Sequence, residues 1–125
     1  MREIKFRGYN KENKKWIESM TIVKNNEIYY MLVEELENGG IEKPTLPVEE
    51  DSIGQYTGFK DTINKEIYEG DIVELEEEYV VVFDEYRGQW MLTNGFVWDD
   101  DVELRVYYDN CIVIGNIYEE KLKEK

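Results

Sequence analysis

The chain has 125 residues, a length that suits one small domain and can bury a core without covalent staples. It has no histidine and one cysteine, Cys111, which excludes an internal disulfide, Ser-His and Cys-His nucleophile pairs, and nearly every zinc or haem site built from imidazole. Its 15 basic and 29 acidic residues leave a net charge of −14, and the imbalance sits in one half: from Glu66 to Tyr118 only Arg87 and Arg105 stand against 14 acids. Such a field repels nucleic-acid phosphates and anionic membranes and attracts basic partners, although acids also serve simply to keep a protein in solution. Met1 to Trp16 has the opposite bias, with six basic residues against Glu3 and Glu12, so one copy could offer its basic start to the acidic half of another. No apolar run approaches the roughly 18 residues of a membrane span, and the charged start lacks the apolar segment of a signal peptide. A soluble, cytoplasmic protein is the expectation.

In chain order the apolar residues mostly alternate, the period of half-buried strands. Ile4 and Phe6 alternate with Glu3, Lys5 and Arg7, and a polar turn at residues 11–15 leads to a second strand from Trp16 to Val23. Lys24-Asn25-Asn26-Glu27 reads as a hairpin turn, because Asn tolerates a left-handed backbone, and Ile28 to Val33 as a third strand. Asn38-Gly39-Gly40, Pro44 and Pro47 break the pattern, so Glu34 to Ser52 is expected to be a loop with one short extra strand. After Gly70 come five apolar runs, at 72–75, 79–83, 89–92, 102–108 and 111–118, separated by turn-like Glu85–Gly88, Thr93–Gly95 and Asp109-Asn110. Five short strands in one segment suit a small SH3-like β-barrel, whose closure removes exposed strand edges. The organisation expected is mainly β: an N-terminal β region over residues 1–65 containing the loop 34–52, an acidic SH3-like barrel over 66–118, and a charged C-terminal tail over 119–125.

Between the halves lies the segment densest in glycine and aromatics, Gly54-Gln55-Tyr56-Thr57-Gly58-Phe59-Lys60-Asp61, running on through Tyr68-Glu69-Gly70-Asp71-Ile72-Val73. Together with Arg2-Glu3-Ile4-Lys5-Phe6-Arg7 at the start and Val113-Ile114-Gly115-Asn116-Ile117-Tyr118-Glu119 at the end, it resembles the YopX family of phage- and prophage-encoded proteins. The resemblance spans the chain and implies an accessory role inside an infected or lysogenic bacterium. It brings no catalytic residues with it. Gly54, Tyr56, Gly58, Tyr68, Gly70, Asp71 and Gly115 are the structural signature, the glycines being positions where the backbone turns sharply or packs closely.

With histidine absent, chemistry would fall to carboxylates. Asp99, Asp100 and Asp101 form the densest oxygen cluster, followed by Glu76, Glu77 and Glu78, but neighbours on a strand point to opposite faces and the spacing of a Ca²⁺ loop is missing. Gly54-x-x-x-Gly58 lacks the Lys-Ser/Thr of a phosphate loop, and Cys111 sits in an apolar run as a small core residue. No metal, cofactor or catalytic activity is expected. Tyr56, Phe59, Tyr68, Trp90, Phe96, Trp98, Tyr107 and Tyr108 could line an aromatic groove; instead, Tyr56, Phe59 and Tyr68 could anchor the signature segment across the join between the halves, which leaves Trp98 as the better candidate for an exposed contact. The reading is a non-catalytic, self-associating protein-binding module whose contacts are Trp98, Asp99, Asp100, Asp101 and Glu76 to Glu78, and whose partner is a basic host or phage protein, with no direct binding of nucleic acid and no membrane contact. Two alternatives stand beside it: an acidic nucleic-acid mimic that blocks a DNA-binding host protein, and a structural homo-oligomer.

Overall fold

The computed structural model describes residues 3–33, 45–94 and 101–123. The protein is mainly β, built from antiparallel sheets, and divides into two compact units, Met1–Gln55 and Tyr56–Lys125.

In the first unit, β1 (Phe6–Asn10) and β2 (Lys15–Ser19) form a hairpin with Gly8 opposite Ile17 and Tyr9 opposite Trp16. A second hairpin joins β3 (Ile22–Asn25) to β4 (Ile28–Leu32) through Asn26 and Glu27, both at positive φ, as a twisted two-residue turn demands. The expected extra strand is β5 (Thr45–Val48), which lies antiparallel to β4 at the edge of the sheet β3-β4-β5. Pro47 is tolerated there for a visible reason. Its carbonyl accepts a hydrogen bond from the Asn10 amide rather than from β4, so the N–H that proline lacks would have faced the same way. A single 3₁₀ turn, Glu50–Ser52, follows. Alternation in β4 sends Tyr29 and Met31 inward, where Met31 packs with Ile17 and Val48 against Phe6, Ile22 and Leu46.

β6 (Gly54–Lys60) begins in the first unit, where Gly54 and Gln55 pair with Arg7 and Phe6 of β1. In the second unit its remainder pairs with β7 (Glu66–Tyr68). Then β8 (Asp71–Glu74), β9 (Glu78–Asp84), β10 (Gln89–Thr93), β11 (Val102–Glu103) and β12 (Ile112–Asn116) form one antiparallel sheet in the order β11-β10-β9-β8-β12. Its core is Ile67, Val73, Val81, Trp90, Leu92, Leu104, Cys111 and Val113. The sheet is curled into a half-barrel. β11 and β12 are its two edges, and pairing between them, which would close an SH3-like barrel, is not found among the described residues.

Two helices stand where strands or a tail were expected. α1 (Leu104–Tyr107) is one turn, continued by 3₁₀ geometry at Tyr108–Asn110. The apolar positions 102, 104, 106 and 108 alternate like a strand, but the fold buries Leu104, packs Tyr108 against the core and leaves Val106 exposed, so the i, i+4 pair prevails over period two. α2 (Ile117–Lys123) replaces the end of the last strand and most of the charged tail. Asn116 caps it, its Oδ1 accepting the Glu119 N–H at 2.9 Å, with Glu119 and Glu120 in the first turn and Lys121 and Lys123 in the last, as the helix dipole favours. Among the described residues no helix is long and apolar enough to cross a membrane.

Candidate functional site

The signature segment turns its polar groups inward, onto its own unit. Asp61, in the turn after β6, is only 5% exposed. Its Oδ1 accepts the N–H groups of Ile63 (3.1 Å) and Lys65 (2.8 Å), and its Oδ2 accepts the N–H of Val113 (2.9 Å), 52 residues away on β12. Thr57 is fully buried; its hydroxyl donates to the Ile67 carbonyl at 2.8 Å and accepts the Phe59 N–H at 3.2 Å. Asp71, 1% exposed, accepts the Tyr68 N–H at 2.7 Å. Gly58 and Gly70 have φ of +90° and +87°, a region closed to most side chains without strain. Gly58 lies in the β6 bulge facing β7, whereas Gly70 donates to the Val81 carbonyl and accepts the Ile117 N–H. Gly115 marks a register shift between β12 and β8. Tyr56 and Tyr68 are buried with ring centroids 5.5 Å apart, and Phe59 stacks at 4.8 Å on Tyr108 beside the core. These hydrogen bonds of Asp61, Thr57, Asp71 and Gly70 all run to backbone groups of the second unit.

Aromatic candidates divide similarly. Trp90 is buried and meets Phe83 edge-on at 5.0 Å, while Tyr107 is exposed. Phe96 and Trp98 lie outside the described residues, as do Asp99 and Asp100. Cys111 is wholly buried, its thiol donating to the Tyr108 carbonyl at 3.4 Å, and burial, then the nearby Asp61 charge, push its pKa up to about 11. We expect native Cys111 to be inert to a thiol reagent at pH 8 and to react at once after unfolding; labelling with and without denaturant checks this. The same shift has a pH signature. The native thiol keeps its proton where the unfolded one loses it, so this contribution to stability is present below about pH 9 and fades as pH rises toward 11.

The described acidic candidates lie at one end of the curled sheet. Glu76 and Glu77 form the bend between β8 and β9, where the Leu75 N–H donates to the Glu77 carbonyl, and all three of Glu76, Glu77 and Glu78 are exposed. The strand register sets Glu74 directly opposite Glu78. Val80 lies opposite Thr93 and Leu92 opposite Val102, which brings Asp101, entering β11, to the same end of the sheet as that bend. Thus Glu76 to Glu78 and Asp101, at least 23 residues apart in sequence, lie at the same end of the sheet, Asp101 on the far side of β10. Among the described residues no Lys or Arg forms an ion pair with Glu74, Glu76, Glu77 or Glu78; the arginines of this unit are taken up elsewhere, Arg87 by Asp84 at 3.6 Å and Arg105 by Glu103 at 3.0 Å. The Arg105 hydrogen bond, helped by Gln89, holds Glu103 below the ordinary carboxylate range. Among the described residues no three Cys, Asp or Glu side chains are grouped to hold a metal ion.

No curated protein matches the chain. Among solved structures, the crystal structure of protein EF1440 from Enterococcus faecalis is similar over 100% of both chains, with a TM-score of 0.53 at 20% identity, a likeness of fold alone. The family model described as YopX protein matches residues 5–122, a span that takes in the signature segment and the C-terminal motif Val113–Glu119 on β12 and the start of α2. On that match the chain belongs to the YopX family.

Proposed function

We propose that this protein is a non-catalytic binding module of a phage or prophage that presents the acidic end of its second unit to a basic protein partner. The observation that carries the reading is the pairing of Glu74 with Glu78 across β8 and β9, continued by Glu76 and Glu77 and joined by Asp101. Like charges directly opposite on adjacent strands weaken a hairpin, so this arrangement costs stability that a single Lys would recover. A surface charged only for solubility gains nothing by placing its acids face to face; a surface shaped for a cationic partner does. Self-association through the basic start has less to draw on. Lys5 contacts Glu3 at 3.0 Å and Glu18 at 3.8 Å, Arg7 stacks over Trp16 at 4.9 Å and Lys11 reaches Glu49 at 3.6 Å, so much of that charge is engaged within the first unit.

The test uses Glu78→Lys. This variant is expected to gain roughly 0.5 kcal/mol in urea unfolding while losing partner recovery in a tagged pull-down from bacterial lysate read by mass spectrometry. Rising salt should weaken the wild-type complex in the same way. A partner retained by Glu78→Lys and indifferent to salt would sink the electrostatic reading. A basic protein displaced by added duplex DNA would redirect it to mimicry of nucleic acid.

A further inference from the structure

We propose that a cleft in the first unit binds a primary alkylammonium group, the chemistry of a lysine side chain or a polyamine. The cleft has a volume of about 400 Å³ and lies where the β1–β2 turn, the β3–β4 turn and the end of β5 meet. It is built wholly within Met1–Gln55 and does not rest on the docking end proposed above. Its apolar lining includes Ile28, Tyr29 and Pro47, with Ile28 46% exposed although it sits in a strand. Its charged lining is Glu12, Glu27, Glu49 and Glu50 with Lys11, which reaches Glu49 at 3.6 Å. An aliphatic stem with a cationic head suits that combination, the stem covering apolar surface and the head meeting carboxylates and an aromatic face.

The walls are fixed before any ligand arrives. Asn10 is 1% exposed; its amide donates to the Pro47 carbonyl at 2.8 Å and its Oδ1 accepts the Asn13 N–H at 2.7 Å, tying the first hairpin to β5. Glu49 donates its N–H to the Tyr9 carbonyl at 3.0 Å, and the Ser52 hydroxyl accepts the Tyr9 N–H at 2.8 Å while donating to the Glu49 carbonyl at 2.6 Å. A preformed cleft loses little ordering entropy on binding. The chain also supplies an internal example of the interaction. The Lys24 ammonium stands 5.5 Å from the centroid of the Tyr29 ring and 3.5 Å from a Glu27 oxygen, an aromatic face and a carboxylate holding one ammonium. Glu27 itself stands at φ +67°, the second position of a turn that favours Asn-Gly, so the sequence places a carboxylate at the cleft where glycine would be relaxed.

That last feature gives a test in which binding and folding move apart. Spermidine and, separately, an acetylated Gly-Lys-Gly amide are titrated into the full chain at constant ionic strength, with backbone amides followed by NMR. Saturable shifts at residues 26–29 and 48–50 are expected, and the probe that binds tighter distinguishes a free polyamine from a lysine side chain. Glu27→Gly and Glu49→Gln should each weaken binding about fivefold, with Glu27→Gly melting no lower than wild type. Lys24→Gln should tighten binding, because it removes the internal competitor for Glu27 and Tyr29. Affinity unchanged in Glu27→Gly and Glu49→Gln, or shifts reproduced by sodium chloride alone, would overturn the proposal.

Discussion

Replacing Asp61 with alanine is expected to destabilise the protein by roughly 3 kcal/mol, mainly through one N–H group on a distant strand. The carboxylate accepts three backbone N–H groups, and these are not equal in consequence. Ile63 and Lys65 belong to an exposed turn, where water can replace a lost acceptor. Val113 is buried, and its N–H points away from β8, toward Asp61, at the edge of the sheet. A bond to a charged acceptor contributes about 1.5–3 kcal/mol, and a buried N–H left without one costs about 1–3 kcal/mol. Asp61→Asn should fall between wild type and Asp61→Ala, because one oxygen remains and the new amide donor meets N–H groups. Urea midpoints at unchanged slope, with amide exchange at Val113, measure both effects. A loss under about 1 kcal/mol for alanine, with Val113 still protected, would mean that another group takes over the acceptor role.

Asp61 also shows why the sequence was legible in some places and closed in others. Alternation disclosed the strands, since Tyr29 and Met31 face inward in β4 and Val73 and Val81 in β8 and β9, as period two requires. β8 opens at Asp71, directly after Gly70 at positive φ. α2 is missed although its start carries a signal: Asn116 with Glu119 three residues on is a capping pair, but the β-branched run Ile112, Val113 and Ile114 just before it extends the strand reading past the cap. Nothing local, by contrast, ties Asp61 to Val113 or Thr57 to Ile67; those bonds exist only once strands distant in sequence have paired. The acidic surface divides along the same line. Its net charge is a matter of counting, whereas the face-to-face placement of Glu74 and Glu78 and the convergence of Asp101 follow from register. The cleft has no sequence signature at all, since its lining comes from three separate turns and strand ends.

Gly8→Ala carries the second large effect, and its cause is contact rather than backbone freedom. A Cβ at this position would lie 2.9 Å from the Cβ of Val48 and 3.0 Å from each of its Cγ atoms. Real methyl groups do not approach so closely, and Val48 cannot swing aside, because its branch point is fixed to the backbone of β5 and it is buried beside Ile17 and Met31. Accommodation therefore requires β1 and β5 to separate, a form of overpacking that costs roughly 1–3 kcal/mol. The double variant tells this apart from a loss of glycine as such. Val48→Ala alone should leave a cavity and cost roughly 2 kcal/mol. Combined with Gly8→Ala, which fills part of that space, it should cost less than the two changes taken separately, with a coupling of about 1 kcal/mol or more. Strict additivity would mean that the Val48 Cγ atoms do not carry the clash: either the Cβ that alanine keeps, 2.9 Å away, carries it alone, or β1 yields in some other direction.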